Sequence, residues 1–171
     1  MTTLAKPVKI YWDSCAWLGF LNGEGDKKRE LEIVYSHART SKYELWTSTL
    51  SIVEVRRLKS EEHTPKPLSD DNLKVISDLF CQPFVKPIPL AQDIAEHARE
   101  LVRTTNGLKK FQDAIHLASA LRWNVEVMHT YDRQDLLHLS RKFTCRNERE
   151  LLICYPDETT DGPLFAKAKE P

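Results

Sequence analysis

Five acidic residues of this sequence lie where a carboxylate is either unusual or well placed for chemistry. Asp13 ends the alternating segment "VKIYWD", and Asp132 and Asp135 follow the apolar segment "VEVMHT". Glu54 interrupts the apolar positions of "TLSIVEVRRLK", and Asp113 stands near the start of the largely apolar segment "KFQDAIHLASAL". Carboxylates gathered from distant parts of a chain can bind a divalent metal ion, so their positions in the fold decide what they do.

Each acid also has an ordinary structural explanation. Aspartate is a preferred N-cap and is favourable in the first turn of a helix, which would account for Asp13 and Asp113. Ser51 and Glu54 have the spacing of a capping box. The last two acids have the setting of a polar turn that leads into a short capped helix. For each acid taken alone, the structural and the chemical explanations both stay open.

The elements that must position these acids alternate along the chain. Five segments predict strands: "VKIYW", "YELWTS", "FVKPIPL", "VEVMHT" and "ELLICYP". Segments with apolar residues at helical spacing separate them, among them a helix predicted over residues 49–59. This alternation predicts an α/β fold whose mainly parallel sheet is covered by helices on both faces. We expect one domain over residues 1–156 and a loose tail over residues 157–171.

The predicted sheet would bring the acids together. Sites in such folds lie beyond the carboxyl ends of the strands, and Asp13 and Asp132 stand at or just after such ends. Glu54 lies in the helix after the second strand, and Asp113 opens the helix before a late strand. Converging carboxylates repel one another unless a cation offsets their charge. An all-oxygen set of ligands favours Mg²⁺ or Mn²⁺ over zinc.

The composition excludes several classes of protein. The 171 residues include 25 basic and 25 acidic ones, so the formal net charge is zero and a polycationic DNA-coating protein is excluded. The four cysteines show no CxxC pairing, and the N-terminal segment turns polar too early for a secretory signal. No apolar run approaches the length of a membrane span. We therefore expect a cytoplasmic protein with reduced thiols.

Four segments together resemble the PIN-domain family of metal-dependent nucleases. They are "IYWDSCAWLGFL", "TSTLSIVEVRRL", "FQDAIHLASAL" and "HTYDRQDLL", and the resemblance covers roughly residues 8–155. It implies a three-layer α/β/α sandwich and cleavage of RNA with Mg²⁺ or Mn²⁺. Many bacterial members are toxins of VapC type, so the resemblance also implies an antitoxin partner and a homodimer. The stretch over residues 60–71 and the residues after Tyr155 depart from the compact toxins.

The resemblance also assigns roles to individual residues. The acidic quartet of the family matches Asp13, Glu54, Asp113 and Asp132. Asp135 matches a further acid, so either Asp132 or Asp135 would supply the fourth ligand. Two polar positions that orient carboxylates or water match Ser14 and Thr130.

Basic residues near these acids are candidates for contacts with substrate phosphates. They are Arg56, Arg57, Lys59, Lys109 and Lys110. Ordinary solvated helix faces are the alternative for each of them. For His116, about one turn beyond Asp113, we expect a structural role. The sequence thus predicts a metal-dependent endoribonuclease, with a catalytically inactive PIN-like module that binds RNA or protein as the alternative.

Overall fold

The central element of the molecule is a five-stranded parallel sheet. A computed structural model describes residues 6–157, so Asp157 is the one residue of the predicted tail that lies within the described part. The strands are Val8–Trp12 (β1), Tyr43–Ser48 (β2), Val85–Ile88 (β3), Val127–His129 (β4) and Leu152–Cys154 (β5). Their spatial order is β3-β2-β1-β4-β5, and every neighbouring pair is parallel. The predicted α/β fold with its parallel sheet is confirmed.

Helices on both faces of the sheet complete three layers. They are Ser14–Asn22 (α1), Gly25–Arg39 (α2), Thr49–Glu54 (α3), Asp70–Phe80 (α4), Gln92–Thr104 (α5) and Phe111–Arg122 (α6). Leu101 of α5 and Leu117 of α6 belong to one hydrophobic core, and Trp17 of α1 and Leu31 of α2 belong to the other. None of these helices is long and apolar enough to cross a membrane.

The middle strand, β1, is buried on both faces. Ile10 and Trp12 enter the core that contains α1 and α2, whereas Tyr11 enters the core that contains α5 and α6. Successive side chains of a strand point to opposite faces, so one apolar segment serves both cores. Asp13, which follows this strand, therefore begins its helix inside the protein and not at its surface.

The helix predicted over residues 49–59 is much shorter in the structure. Helix α3 ends at Glu54, and the next residue, Val55, is fully buried in the core. Ile52 and Val53 are exposed, and β-branched residues of this kind have a modest helix propensity. Burial of Val55 outweighs continuation of a helix whose apolar residues face water. The prediction of a helix over residues 49–59 is therefore wrong for the residues after Glu54.

The order of the strands creates a switch point at β1. The chain passes from β1 to β2 and β3 on one side, and then crosses to β4 and β5 on the other side. In α/β proteins the crevice at such a point, outside the carboxyl ends of the strands, is where ligands bind. Asp13 follows β1, Thr130 and Asp132 follow β4, and α3 follows β2. Three neighbouring strands thus deliver polar residues to one edge of the sheet.

Candidate functional site

Asp13 is buried where β1 passes into α1. Its Oδ1 accepts the backbone N–H of Ala16 at 2.9 Å, so it caps α1. Its Oδ2 accepts the Thr130 hydroxyl at 2.5 Å, and Thr130 Oγ1 accepts the backbone N–H of Asp132 at 2.9 Å. Burial raises the pKa of the Asp13 carboxyl, and the nearby His116 and the Thr130 hydrogen bond oppose that rise. The capping explanation therefore holds, and the same carboxylate is also tied to the end of β4.

Glu54 ends a chain of hydrogen bonds that runs through the core, the Tyr11–His116–Glu54 chain. Its Oε2 lies 2.8 Å from His116 Nε2, and His116 Nδ1 lies 2.7 Å from the Tyr11 hydroxyl. An ionised carboxylate only accepts, so Nε2 donates to Glu54 and, in the neutral tautomer, Nδ1 accepts the Tyr11 proton. Burial raises the pKa of Glu54, but the hydrogen bond and charge of His116, with a hydrogen bond from Ser14, outweigh it and lower that pKa.

The alternative capping box of Ser51 and Glu54 is not formed. Helix α3 begins at Thr49, and Ser48 caps it by accepting the backbone N–H of Leu50 at 3.1 Å. The Ser51 hydroxyl is buried and hydrogen-bonded to Thr47 at 2.8 Å. Glu54 is therefore held by His116 and not by the start of its own helix.

Three further carboxylates form what we call the aspartate cluster: Asp113, Asp132 and Asp135. One carboxylate oxygen of each lies within 4.8 Å of the others. Asp132 Oδ1 accepts the backbone N–H groups of Gln134 and Asp135, both at 2.8 Å. Asp135 Oδ1 accepts the backbone N–H of Lys109 at 3.1 Å. These bonds fix the turn after β4 against the segment that leads into α6.

Asp113 is the least satisfied member of the aspartate cluster. Its Oδ2 is buried and has no hydrogen-bond partner in the described part of the chain. The N-cap residue of α6 is Lys110, so Asp113 is not a helix cap. Burial, followed by the charge of Asp132, raises the pKa of Asp113 to about 7. A buried carboxylate oxygen in this state is costly unless a cation binds it.

Lys110 places its ammonium group among the same carboxylates. Its Nζ lies 2.9 Å from Asp132, 3.2 Å from Asp135 and 3.6 Å from Asp113. The hydrogen bond with Asp132 raises the pKa of Lys110 well above its usual value, and Asp135 adds to the rise. Burial raises the pKa of Asp132, but the backbone N–H of Asp135 and the Lys110 ammonium outweigh it and lower that pKa. The positive charge thus offsets part of the repulsion within the aspartate cluster.

The thiol of Cys15 shows how closely the acids approach one another. Cys15 lies in the first turn of α1 and is partly buried. Burial raises the pKa of its thiol, and the charges of four carboxylates raise it further, those of Asp13, Asp132, Asp113 and Glu54. Because such effects weaken with distance, all four lie within electrostatic reach of one side chain. The link from Asp13 through Thr130 to Asp132, and the Lys110 contacts with Asp132 and Asp113, join these acids at one edge of the sheet. Glu54 joins them through His116, which lies on the same helix as Asp113.

The oxygen ligands of the aspartate cluster suit a hard divalent cation. The side chains of the aspartate cluster offer carboxylate oxygens, the ligand type that Mg²⁺ and Mn²⁺ prefer. The Oδ2 of Asp113 accepts no hydrogen bond from the described residues, and the Lys110 ammonium approaches it only to 3.6 Å. Asp132 and Asp135 lie close enough to share a ligand with it. The residues present therefore fit a divalent ion.

The basic residues that are predicted to contact substrate phosphates lie in two places. Arg56, Arg57 and Lys59 follow the end of α3 and line a cleft of about 380 Å³ that Glu54 also lines. Lys109 is exposed beside the aspartate cluster, to which its backbone donates. The contacts of these basic residues with RNA stay predictions.

The sequence did not indicate three residues that belong to the surroundings of the acids. Tyr11 bonds to His116, Cys15 lies near four of the acids, and Lys110 forms ion pairs with the aspartate cluster. One signal was available, because Lys110 and His116 stand three residues before and after Asp113 and so fall near it on a helix. Their contacts with the more distant acids cross 22 and 62 residues, which spacing does not show. His116 is structural, as expected, and it is also the direct partner of a site acid.

One family model matches most of the chain. It is described as the PIN domain and matches residues 10–142, which include all the candidate site acids and the basic residues predicted to contact phosphates. No curated protein matches the chain.

Several solved structures share the fold. VapC20 of Mycobacterium tuberculosis, a sarcin-ricin loop cleaving toxin, is 17% identical over 72% of this chain and 89% of that chain, with a TM-score of 0.56. A toxin-antitoxin complex from Klebsiella pneumoniae is 20% identical over 74% and 88%, with a TM-score of 0.51. VapBC2 from Rickettsia felis, bound to a promoter DNA fragment, is 14% identical over 85% and 98%, with a TM-score of 0.55. At these identities the similarity concerns the fold alone.

Proposed function

Because the chain belongs to the PIN-domain family of nucleases, we propose that it is an endoribonuclease that depends on Mg²⁺ or Mn²⁺ and hydrolyses RNA phosphodiester bonds. The observation that carries the proposal is the buried Oδ2 of Asp113, which lacks a hydrogen bond while two other carboxylates lie within 4.8 Å. A protein that needed these acids only for folding would gain stability by giving that oxygen a donor. The arrangement instead leaves this oxygen with only a 3.6 Å contact to the Lys110 ammonium, so a bound divalent ion would satisfy it better.

In the proposed site the aspartate cluster would hold the ion, with Asp13 facing it from the end of β1. When bound, the divalent ion supplies Lewis-acid chemistry, which lowers the pKa of a water molecule and offsets the charge of the phosphate. Asp13 keeps its orientation because Ala16 and Thr130 occupy one oxygen each. The products would carry a 5′ phosphate and a 3′ hydroxyl.

Glu54 would orient the attacking water. Its low pKa keeps it ionised, so it accepts a hydrogen bond from water at neutral pH. His116 occupies Oε2 at 2.8 Å and Tyr11 fixes the imidazole, so the direction of the carboxylate is set before any substrate arrives. Groups that are oriented in advance lose little entropy during the reaction.

The basic residues supply positive charge for the substrate backbone. Arg56 and Arg57 line the cleft beside Glu54, and in this proposal they bind phosphates that flank the cleaved bond. Lys109 and Lys110 lie at the aspartate cluster and would contact the nearer phosphates. Since the net charge of the chain is zero, these local groups must provide the attraction.

A toxin role, silenced by an antitoxin protein, is part of the proposal. The Klebsiella structure is a toxin-antitoxin complex, and the Mycobacterium protein is a sarcin-ricin loop cleaving toxin. These relatives support RNA as the substrate class and an antitoxin as the partner. The homodimer is expected from the family resemblance, and the cytoplasmic location from the cysteine spacing and the polar N-terminal segment.

The test is cleavage of a mixed RNA pool with Mg²⁺, with Mn²⁺ and with EDTA. We expect the wild-type protein to cut with either metal and to stop in EDTA. Asp13→Asn and Asp113→Asn should each lower the rate at least about 100-fold, because each removes a charge from the ion site. Asp78→Asn, the same change at an exposed position of α4, should leave the rate within about twofold.

Two outcomes would count against the nuclease proposal. One is an inactive wild-type protein, and the other is a rate that both site variants leave unchanged. Binding of RNA without cleavage, measured on the same pool, would favour the inactive binding module instead.

A further inference from the structure

The ammonium group of Lys110 lies where a metal cation would bind. Its nitrogen is 2.9 Å from Asp132, 3.2 Å from Asp135 and 3.6 Å from Asp113. These are the three residues whose oxygens approach within 4.8 Å of one another. Within the described residues, Lys110 is the one basic side chain that forms an ion pair with any of them.

An ammonium group and a divalent ion cannot share this place. Mg²⁺ binds carboxylate oxygens at about 2.0–2.1 Å, and the ammonium nitrogen already lies among the carboxylates of the same three residues. Two like charges a few ångströms apart also repel each other strongly in a partly buried site. Binding of the ion in the aspartate cluster therefore requires that the ammonium group move away.

Lys110 is attached so that its charged end can leave while its backbone stays in place. Its backbone is the N-cap position of α6, which fixes it relative to Asp113. The side chain is 54% exposed, and its four-carbon stem is flexible. A swing toward water moves the charge out of the aspartate cluster without any change in the hydrophobic core.

We propose that Lys110 is an internal cation of the metal-free site, which holds the aspartate cluster together and is exchanged for the divalent ion when that ion binds. The inference rests on the proposed metal-dependent function. The observed affinity for the metal then reflects the free energy of binding the ion minus the cost of displacing the ammonium group. Lys110 therefore stabilises the metal-free protein and weakens metal binding. After the exchange, the released ammonium group stands beside the site and can pair with a substrate phosphate.

The test is a calorimetric titration of Mn²⁺ into metal-free wild-type protein and the Lys110→Met variant. Methionine keeps most of the length of the side chain and removes its charge, so the ion displaces no ammonium group. We expect the Kd for Mn²⁺ to fall about tenfold or more, the sum of several modest ion pairs. A Kd that is unchanged or higher in K110M would overturn the exchange.

Thermal unfolding supplies a readout that does not depend on catalysis. In EDTA the K110M protein should unfold at a lower temperature than the wild type, because three acids are left without their cation. Saturating Mn²⁺ should raise the Tm of K110M by more than it raises that of the wild type. If K110M does not fold without metal, Mn²⁺ must restore the fold, and failure to do so would also overturn the inference.

Two variants control for general effects of charge. Lys74→Met makes the same change at an exposed lysine of α4, and Lys110→Arg keeps the charge at the original position. Both should bind Mn²⁺ within about threefold of the wild type, because distant exposed charges are screened and the guanidinium still has to be displaced. A gain in either control as large as that of K110M would contradict the exchange.

The outcomes separate this inference from the proposed function. A wild-type protein that binds no Mn²⁺ would overturn both. A wild-type protein that binds Mn²⁺ and cuts RNA, while K110M binds no more tightly, would overturn the exchange alone.

Discussion

Asp113 and Glu54 carry the same functional group at the same edge of the sheet, but their surroundings shift its pKa in opposite directions. Burial raises the pKa of both. Beside Asp113 the next influence is another carboxylate, Asp132, and the pKa of Asp113 rises to about 7. Beside Glu54 the next influence is His116, and the pKa of Glu54 falls below its usual value. The partner, and not burial, decides which way each carboxylate shifts.

The two sides of the site therefore have different needs. The aspartate cluster has more negative charge than its one lysine can neutralise, so it gains from an added cation. The Tyr11–His116–Glu54 chain satisfies its members without one. The aspartate cluster is thus suited to binding a cation, and the Tyr11–His116–Glu54 chain is suited to orienting the Glu54 carboxylate. The two sides are nevertheless close, because four of the acids raise the pKa of the same thiol, that of Cys15.

Among the changes that test this comparison, the largest effect is expected from breaking the orienting side at His116. In His116→Gln the amide nitrogen replaces Nε2 and still donates to Glu54, whereas in His116→Asn it lies near Nδ1 and does not reach. We expect kcat for RNA cleavage to fall about 10–100-fold in H116N and less than tenfold in H116Q, with little change in KM. Circular dichroism checks that both fold. Equal losses in the two variants would show that His116 acts through packing alone.

Neutralising one acid on each side should change stability in opposite directions. Glu54→Gln removes a charge that His116 stabilises, so the metal-free protein should lose about 2 kcal/mol of unfolding free energy at pH 7.5. Asp113→Asn removes a charge that burial and Asp132 oppose, so it should gain about 2 kcal/mol. Urea unfolding in EDTA measures both. A change of the same sign in the two variants would end the distinction between the two sides.

The advantage of Asp113→Asn should depend on pH. The pKa of Asp113 is 3.8 in the unfolded reference state and about 7 in the folded protein. As the pH falls, the folded protein therefore binds a proton at a higher pH than the unfolded chain does. The stability that this uptake contributes is complete below about pH 4 and is lost as the pH rises through 7. Between pH 7.5 and pH 5 the advantage of D113N over the wild type should be lost in urea unfolding, a change of about 2.5 kcal/mol. A constant difference would mean that Asp113 is ionised throughout.

The smallest effect is expected at the far end of the orienting side. Tyr11→Phe removes the hydroxyl that His116 Nδ1 accepts at 2.7 Å in the core, and should cost about 1 kcal/mol of unfolding free energy. Tyr155→Phe is the matched control, because the Tyr155 hydroxyl takes part in an exposed hydrogen bond with Arg133 at 2.6 Å. The control should change stability by less than half as much. If both cost the same, the buried bond has no special weight.

The sequence predicted the parts of the site that backbone position determines. Asp13 and Asp132 could be placed because they follow strands, and parallel strands present their carboxyl ends at one edge. The length of α3 could not be predicted, because burial of Val55 is a tertiary effect that overrides the local apolar pattern. Local spacing places Glu54 on a helix but does not say where that helix ends.

The partners of the acids could not be predicted either. The contact of His116 with Tyr11 joins residues 105 positions apart, and it forms only because α6 packs against β1 in the core. The position of the Lys110 ammonium group depends on the conformation of a long side chain that the sequence leaves free. Long-range packing and side-chain conformation are thus what the sequence left undetermined.

The sheet order also determines when the acids can meet during synthesis. Ile10 of β1 pairs with Val127 of β4, so the middle strand gains its second neighbour only after β4 has been made. Asp132 and Asp135 come later still. A nascent chain on the ribosome therefore cannot assemble the acids until Asp135 has emerged, and parallel pairing over such separations is slow. The complete set of acids is therefore one of the last parts of this domain to form during synthesis.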